Sequence, residues 1–258
     1  VPNIHIHAFS PLEIHHGANT LGYSIKNFLL LLKESGLNSM PGTAAEILDD
    51  RIRNRICPDK IDTETWLEIT ATAHEVGINT TSTIMFGHQE NIGDWATHLM
   101  KIRDLQNTTG GITEFIPLPF VSMESPMYRR GQARPGPTFR EVLLMHAVSR
   151  LYLHPIIKNI QTSWVKLGKK AALSCLNAGA NDLGGTLMDE SISKSAGGIH
   201  GQEFHPKEME SFIRNMQRTP TLRDTLYNPL NRASLPNKSS LVLSNKIHSL
   251  VDSAYPVI

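Results

Sequence analysis

Cysteine is nearly absent from this chain of 258 residues: Cys57 and Cys175 are the two, 118 positions apart. Local spacing therefore builds no zinc knuckle and no cluster motif, and the two thiols read as core or surface groups in a reducing, cytoplasmic compartment. Excess charge is missing as well. Lys+Arg 25 against Asp+Glu 24 leaves a formal charge of +1, so no field gathers nucleic acid or anionic lipid, and no basic cluster interleaved with aromatics suggests a nucleic-acid binder. The longest strongly apolar run, Phe28 to Leu32, is far too short for a bilayer, and no stretch reads as a secretory signal. A nucleophile elbow, a P-loop and a dinucleotide fingerprint are all lacking.

What is present is an ordinary globular composition, 40% hydrophobic and 19% charged, in a chain able to bury one large domain or two small ones. It opens on VPNIHIHAFS, without Met and already alternating like a strand, which leads us to expect that its natural beginning lies upstream. A recurring junction organises the rest: ESGLNSM (34–40), EVGINTT (75–81) and NAGANDL (177–183) each run an amphipathic stretch into one Gly and then a short apolar or small-residue segment. Gly accepts the left-handed conformation that closes a helix, so each junction reads as helix, Gly, strand. Ser24 is expected to cap 25–35 and Asp62 to cap 63–76. Thr138 with Glu141 forms a capping box for 139–153, which His154-Pro155 stops. Pro206 suits the first turn of 206–217.

Strand candidates are 3–9, 37–40, 79–86, 113–118, 156–161 and 180–183. Their alternation with helices implies parallel strands in right-handed crossovers, as in a doubly wound sheet or most of a (β/α)8 barrel. In a barrel the C-terminal strand ends open onto one face, where sites are built. Asn181 and Asp182 then lie near a late strand end, ahead of Gly184-Gly185, either facing a ligand or merely capping the next turn. TSTIMFGHQE (81–90) ends a buried strand in Gly87, with Glu90 beyond it as a site or a surface residue. SMPGTAAEILDD (39–50) puts Glu46 in a predicted helical first turn, where a carboxylate is favoured anyway. Pro117 and Pro119 predict that the fourth strand ends near Ile116. His5 and His7 share a strand face, but no companion carboxylate stands at metal-binding spacing.

PGTAAEILDDRIR, TSTIMFGHQE, TEFIPLPFV, RPGPTFRE, NIQTSWVKLG and GANDLGGTLMDESIS follow one another in order within residues 1–227. Together they resemble the CofH-like second radical SAM component of FO synthase, the tyrosine 4-hydroxybenzyl transferase family of deazaflavin coenzyme F(420) biosynthesis. The resemblance implies a radical SAM α/β barrel, here about six parallel βα units of an eight-unit TIM-type barrel over 1–227, with an irregular tail over 228–258. It implies S-adenosyl-L-methionine (SAM) and a 4Fe-4S cluster as cofactors, forming a 5′-deoxyadenosyl radical. It also implies transfer of a 4-hydroxybenzyl group from L-tyrosine to 5-amino-6-(D-ribitylamino)uracil, with a ring-closing radical SAM component, fused or separate, as partner. By the same resemblance Thr83, Met85, Gly87 and Glu90 lie along SAM. Glu46, Gln161, Asn181 and Asp182 bind substrate, and Trp164 either walls the pocket or packs in the core.

One departure matters. The family holds its cluster with three Cys in a Cys-x-x-x-Cys-x-x-Cys loop after the first strand, and Cys57 and Cys175 cannot replace it. No metal ligand is therefore expected here. The missing loop corresponds to about two βα units, and the chain alone is expected to be inactive and, with open sheet edges, prone to associate. The alternatives are a menaquinone-pathway (futalosine) radical SAM relative, a cluster-free binding or assembly module, or an ordinary barrel lyase using Lys60 or Lys166.

Overall fold

A computed structural model describes residues 4–187, 191–200 and 203–230. The chain divides into two compact units, Val1–Thr219 and Pro220–Ile258. Within the second, the Asp224 carboxylate accepts the Leu226 and Asn228 amides, and the Arg223 guanidinium lies 4.1 Å from the Tyr227 ring centroid. Most of the tail expected over 228–258 falls on 231–258, outside the described residues.

The first unit holds a five-stranded sheet in the order β1 (Ile6–His7), β2 (Leu37–Met40), β3 (Asn79–Phe86), β4 (Ile112–Pro119), β5 (Asn159–Ile160). All four pairings are parallel, and among the described residues the sheet does not close. Intervening helices are α1 (Pro11–Leu21), α2 (Ile25–Glu34), α3 (Asp50–Ile56), α4 (Thr63–Glu75), α5 (Ile92–Thr109), α6 (Pro126–Arg129) and α7 (Phe139–Leu153). After β5 come α8 (Trp164–Leu167), α9 (Lys169–Asn177), α10 (Ile192–Ser195) and α11 (Pro206–Asn215). The alternation of parallel strands and helices is as expected, and the five-stranded open sheet is consistent with the partial barrel that the resemblance implies.

The predicted caps form. Ser24 accepts the Asn27 amide, Asp62 the Thr65 amide, and Thr138 and Glu141 bond reciprocally. The junction glycines Gly36, Gly77 and Gly179 all have positive φ. Two further capping boxes, Ser10 with Glu13 on α1 and Asn91 with Asp94 on α5, escaped the sequence reading.

Four strand details are corrected. The first strand spans Ile6–His7 rather than 3–9. The fifth is cut to Asn159–Ile160, and 180–183 contributes a single parallel bridge, Gln161 to Asp182, in place of a sixth strand. The fourth runs through both prolines to Pro119. Phe120 donates to the Phe86 carbonyl, so by alternation the nitrogens of Pro117 and Pro119 face the β5 side. The last β4–β5 pair is Phe115 with Ile160, and the Gln161 amide donates to the Phe115 carbonyl, so this ladder stops where Pro117 has no N–H to offer as its next donor.

Faces follow from register. Ser82, Ile84 and Phe86 pair with Phe115, Pro117 and Pro119 and turn toward the helices, where Phe86 meets Trp95 edge-on at 5.5 Å. Thr81, Thr83 and Met85 pair with Glu114, Ile116 and Leu118 and line the inner face. The apolar core fills the helix side, with Trp66, Ile69, Ile84, Phe86, Trp95, Leu99 and Phe115 all buried.

Candidate functional site at the strand ends

The segment 41–49 that follows β2 shapes the mouth, and it is not helical. The helix expected to open after Pro41-Gly42 begins only at Asp50, and Ala44 and Glu46 take positive φ of 62° and 43°. Its carbonyls go to a side chain instead. Buried Arg53 donates to the carbonyls of Ala44 (3.2 Å), Ala45, Ile47 (3.3 Å) and Ile61 (3.1 Å). The segment also lies along the upper half of β3. The Gly42 amide donates to Thr81 Oγ1 at 2.9 Å, Thr83 Oγ1 donates to the Gly42 carbonyl at 2.8 Å, and the Met85 amide donates to the Glu46 carbonyl at 2.9 Å. Any side chain at Gly42 would overlap the Thr81 carbonyl, which explains that Gly in physical terms.

Glu46 therefore stands at the end of β3, its carboxylate 2.6 Å from Lys60 Nζ with both side chains only partly exposed. Met85 is half-buried on the inner face. Thr83 is buried and engaged with Gly42. Gly87 has φ 96°, and a Cβ on it would collide with Pro137, so its close approach serves the 136–137 backbone.

Glu90 is buried rather than a surface residue, and its carboxylate closes the turn after β3. It accepts the Gly87 amide, the His88 amide at 2.8 Å and the Trp95 indole at 3.0 Å, with Arg134 at 3.4 Å. Burial works to raise its pKa, but the two backbone amides and the Trp95 indole that it accepts favour the carboxylate and hold the carboxyl below its ordinary value. His88 donates from Nε2 to the Met85 carbonyl and accepts the Gln89 amide at Nδ1, a neutral tautomer in keeping with the downward shift that burial gives it.

At the other side of the sheet, Asp182 Oδ1 accepts the Gly184 amide at 2.6 Å, and the Gln161 side chain packs on Gly184. Asn181 departs from the others. Its Oδ1 accepts Arg150 at 2.6 Å and the Ile160 amide at 2.8 Å, tying α7 to the end of β5. Trp164 is buried, its indole donating to the Gly185 carbonyl at 3.2 Å and its ring edge-on to Phe204. The strand ends thus gather Glu46, Met85, Gly87, Gln161 and Asp182, with Thr83, Glu90 and Asn181 bonded into the wall behind.

Sequence reading missed Arg53 altogether, since nothing local marks an arginine as buried. It also left Ser39 unconnected to His5 and His7. His5 Nε2 and His7 Nδ1 each lie 2.7 Å from Ser39 Oγ.

A cluster does not fit the cysteines present. Burial raises the Cys57 thiol and pushes Cys175 to about 11, which disfavours the thiolate that iron needs. No group of three or more His, Cys, Asp or Glu among the described residues is placed to hold a metal ion. Anaerobic treatment of the 258-residue chain with iron and sulfide is expected to leave it colourless; a brown, cluster-bearing protein would overturn this reading of the two thiols. Among the described residues, no helix is long and apolar enough to cross a membrane.

Residues 3–102 match the Radical SAM superfamily and residues 109–235 match the CofH/MqnC C-terminal region. The chain is 51% identical over 229 residues to a protein of Methanopyrus kandleri named 5-amino-6-(D-ribitylamino)uracil--L-tyrosine 4-hydroxyphenyl transferase, covering 89% of this chain and 62% of that one. A protein of the same name from Archaeoglobus fulgidus is 53% identical over 227 residues, covering 88% of this chain and 65% of that one. An FO synthase of Mycobacterium leprae is 50% identical over 227 residues, which are 88% of this chain and 26% of that protein. The chain spans about three-fifths of the length of the transferase relatives.

Proposed function

The chain belongs to the radical SAM superfamily, in its CofH/MqnC branch, and on that premise we propose that it provides the substrate-side strand ends of a transferase. That enzyme moves a 4-hydroxybenzyl group from L-tyrosine to 5-amino-6-(D-ribitylamino)uracil in deazaflavin coenzyme biosynthesis. The observation that carries the proposal is identity near one half over 225 or more residues to transferases of that name.

In this reading Met85 presents its side chain to SAM, while Thr83, Gly87 and Glu90 hold the strand end behind it. Glu46, Gln161 and Asp182 supply polar groups to the substrates, and Asn181 sets the position of Asp182 by anchoring the backbone beside it. Their common task is to orient two polar substrates and shield them from water, since the cofactor carries the difficult chemistry. Iron ligation falls to residues other than Cys57 and Cys175, so the 258 residues alone are proposed not to turn over. The companion ring-closing component would be fused or separate, since the chain is about equally similar to a long FO synthase and to shorter transferases. Two thiols left unpaired support an intracellular, cytoplasmic location.

The test is a chimera in which this chain replaces the matched region of the Methanopyrus kandleri transferase. Reconstituted anaerobically with SAM, ring-labelled tyrosine and the aminouracil, it is expected to yield a uracil adduct carrying the labelled ring. A folded, cluster-loaded chimera giving no such adduct would refute the proposal.

A further inference from the structure

Gln161 stands at the strand ends on the inner face, across β4 from the strand that the proposed function gives to SAM. Phe115 pairs with Ser82 of β3 and with Ile160 of β5, so Gln161, one residue on, lies level with Thr83. Asn159 pairs with the inner-face Glu114, and alternation puts Gln161 on that same face. With neighbouring strands about 4.8 Å apart, two spacings set Gln161 about 10 Å from Thr83. A flat ring held there leaves β3 clear.

The backbone around Gln161 is fixed on both sides. Its amide donates to the Phe115 carbonyl at 3.0 Å, the Thr162 amide donates to the Asp182 carbonyl at 2.9 Å, and Gln161 bridges Asp182. A glycine makes room for the side chain: a Cβ on Gly184 would lie 2.7 Å from Gln161 Nε2 and 3.1 Å from its Cδ. Other polar groups at the mouth are engaged, Glu46 with Lys60, Asn181 with Arg150, and the Trp164 indole with the Gly185 carbonyl. The Gln161 carboxamide is half-buried and, among the described residues, makes no hydrogen bond. It holds a donor and an acceptor side by side in one plane, and both are open.

We propose that the Gln161 carboxamide reads the imide edge of the aminouracil ring, Nε2 donating to a ring carbonyl and Oε1 accepting the N–H between the two carbonyls. This deepens the proposed function and rests on it, since that reading supplies the two substrates. L-Tyrosine offers charged groups and a phenol whose donor and acceptor share one oxygen. The uracil imide offers a neutral donor beside a neutral acceptor in one plane, so the pair closes without burying a charge. The adenine of SAM has a comparable edge, but the proposed function lays SAM along β3.

The test is a cycle of affinities in the chimera described above, measured by anaerobic calorimetry. The ligands are the aminouracil and its analogue methylated on the nitrogen between the two ring carbonyls. The native sequence is expected to bind the analogue about tenfold more weakly or worse, because a bond is lost and its partner is left unpaired. Gln161→Ala, and Gln161→Met, which keeps the volume, are each expected to bind the parent about tenfold more weakly. Both should distinguish the two ligands by less than about twofold, the signature of a direct pair. Discrimination that survives in both variants, or that is missing from the native sequence, overturns the inference and leaves the function standing. A loss in both variants that falls on SAM or L-tyrosine instead of the aminouracil also overturns it. A folded native chimera that binds no aminouracil refutes the proposed function, and the inference with it.

Discussion

Arg53→Ala is expected to destabilise the first unit by more than about 3 kcal/mol, because each buried carbonyl left without a donor costs about 1–3 kcal/mol. The guanidinium is 2% exposed and serves the carbonyls of Ala44, Ala45, Ile47 and Ile61, with the Asp50 carboxylate at 3.9 Å. Alanine leaves the carbonyls without their donors and opens a cavity. Lysine is not a rescue, since an ammonium is a compact point donor and cannot reach a fan of carbonyls as a planar fork does. The loss also reaches the mouth. The Met85 amide donates to the Glu46 carbonyl, so release of 44–47 should speed hydrogen exchange at Met85 well before the far strands open. Exposed Arg55→Ala is the control and should fall within about 0.5 kcal/mol of the native chain. Urea unfolding measures both, and an Arg53→Ala loss below about 1 kcal/mol would refute this account of the loop.

Arg53 also shows where sequence reading stops. Caps are local: Ser24, Asp62 and the Thr138–Glu141 pair bond within a turn of themselves, so their chemistry is visible in a short window. The same holds for the junction glycines, whose positive φ follows from ending a helix before a strand. The strand alternation was legible for 37–40 and 79–86, the second of which buries nearly every residue. It failed at 41–49, where small residues before a Glu look like a helix start, because a side chain eight residues on takes the carbonyls a helix would have used. It failed again at Pro117 and Pro119, where tolerance depends on how far the neighbouring strand extends.

The site residues divide in the same way. Motif position brought Glu46, Met85, Gly87, Gln161 and Asp182 to one end of the sheet, which register alone can deliver. What each polar group bonds was hidden, since it depends on partners distant in sequence. Glu90 turned inward to Trp95 and Arg134, and Asn181 turned to Arg150. The His5–Ser39–His7 contact needed a bulge, with Ile6 paired to Leu37 but His7 to Ser39, that no periodicity announces.

Acidification should unfold the first unit through its neutral histidines. Burial lowers His74 to about 4 and His98 to about 3, with Arg53 and Lys101 adding to the effect on His98. Their hydrogen bonds fix the neutral form. Thr109 Oγ1 donates to the Leu105 carbonyl and so accepts from His74 Nδ1, leaving Nε2 to accept from Thr80. His98 Nδ1 accepts the Leu48 amide at 3.1 Å. In the unfolded chain both rings titrate near pH 6.5, so below that pH the unfolded state holds protons that the folded state refuses. Stability therefore falls as pH drops from about 6.5 toward about 4 for His74 and about 3 for His98. Near pH 5.5 the pair alone gives a slope of about 2 kcal/mol per pH unit. His88 and His146, also lowered by burial, act in the same direction. Glu90 and Glu141, whose carboxyls are lowered, contribute stability that is present above the unfolded carboxyl range and is lost as pH falls through their folded values, which steepens the decline at the acid end. Urea midpoints taken between pH 7 and 5 should show this fall, and a flat profile would contradict it. His98→Asn, which can still accept the Leu48 amide but cannot titrate, should remove about one proton from the slope whatever it does to stability at pH 7.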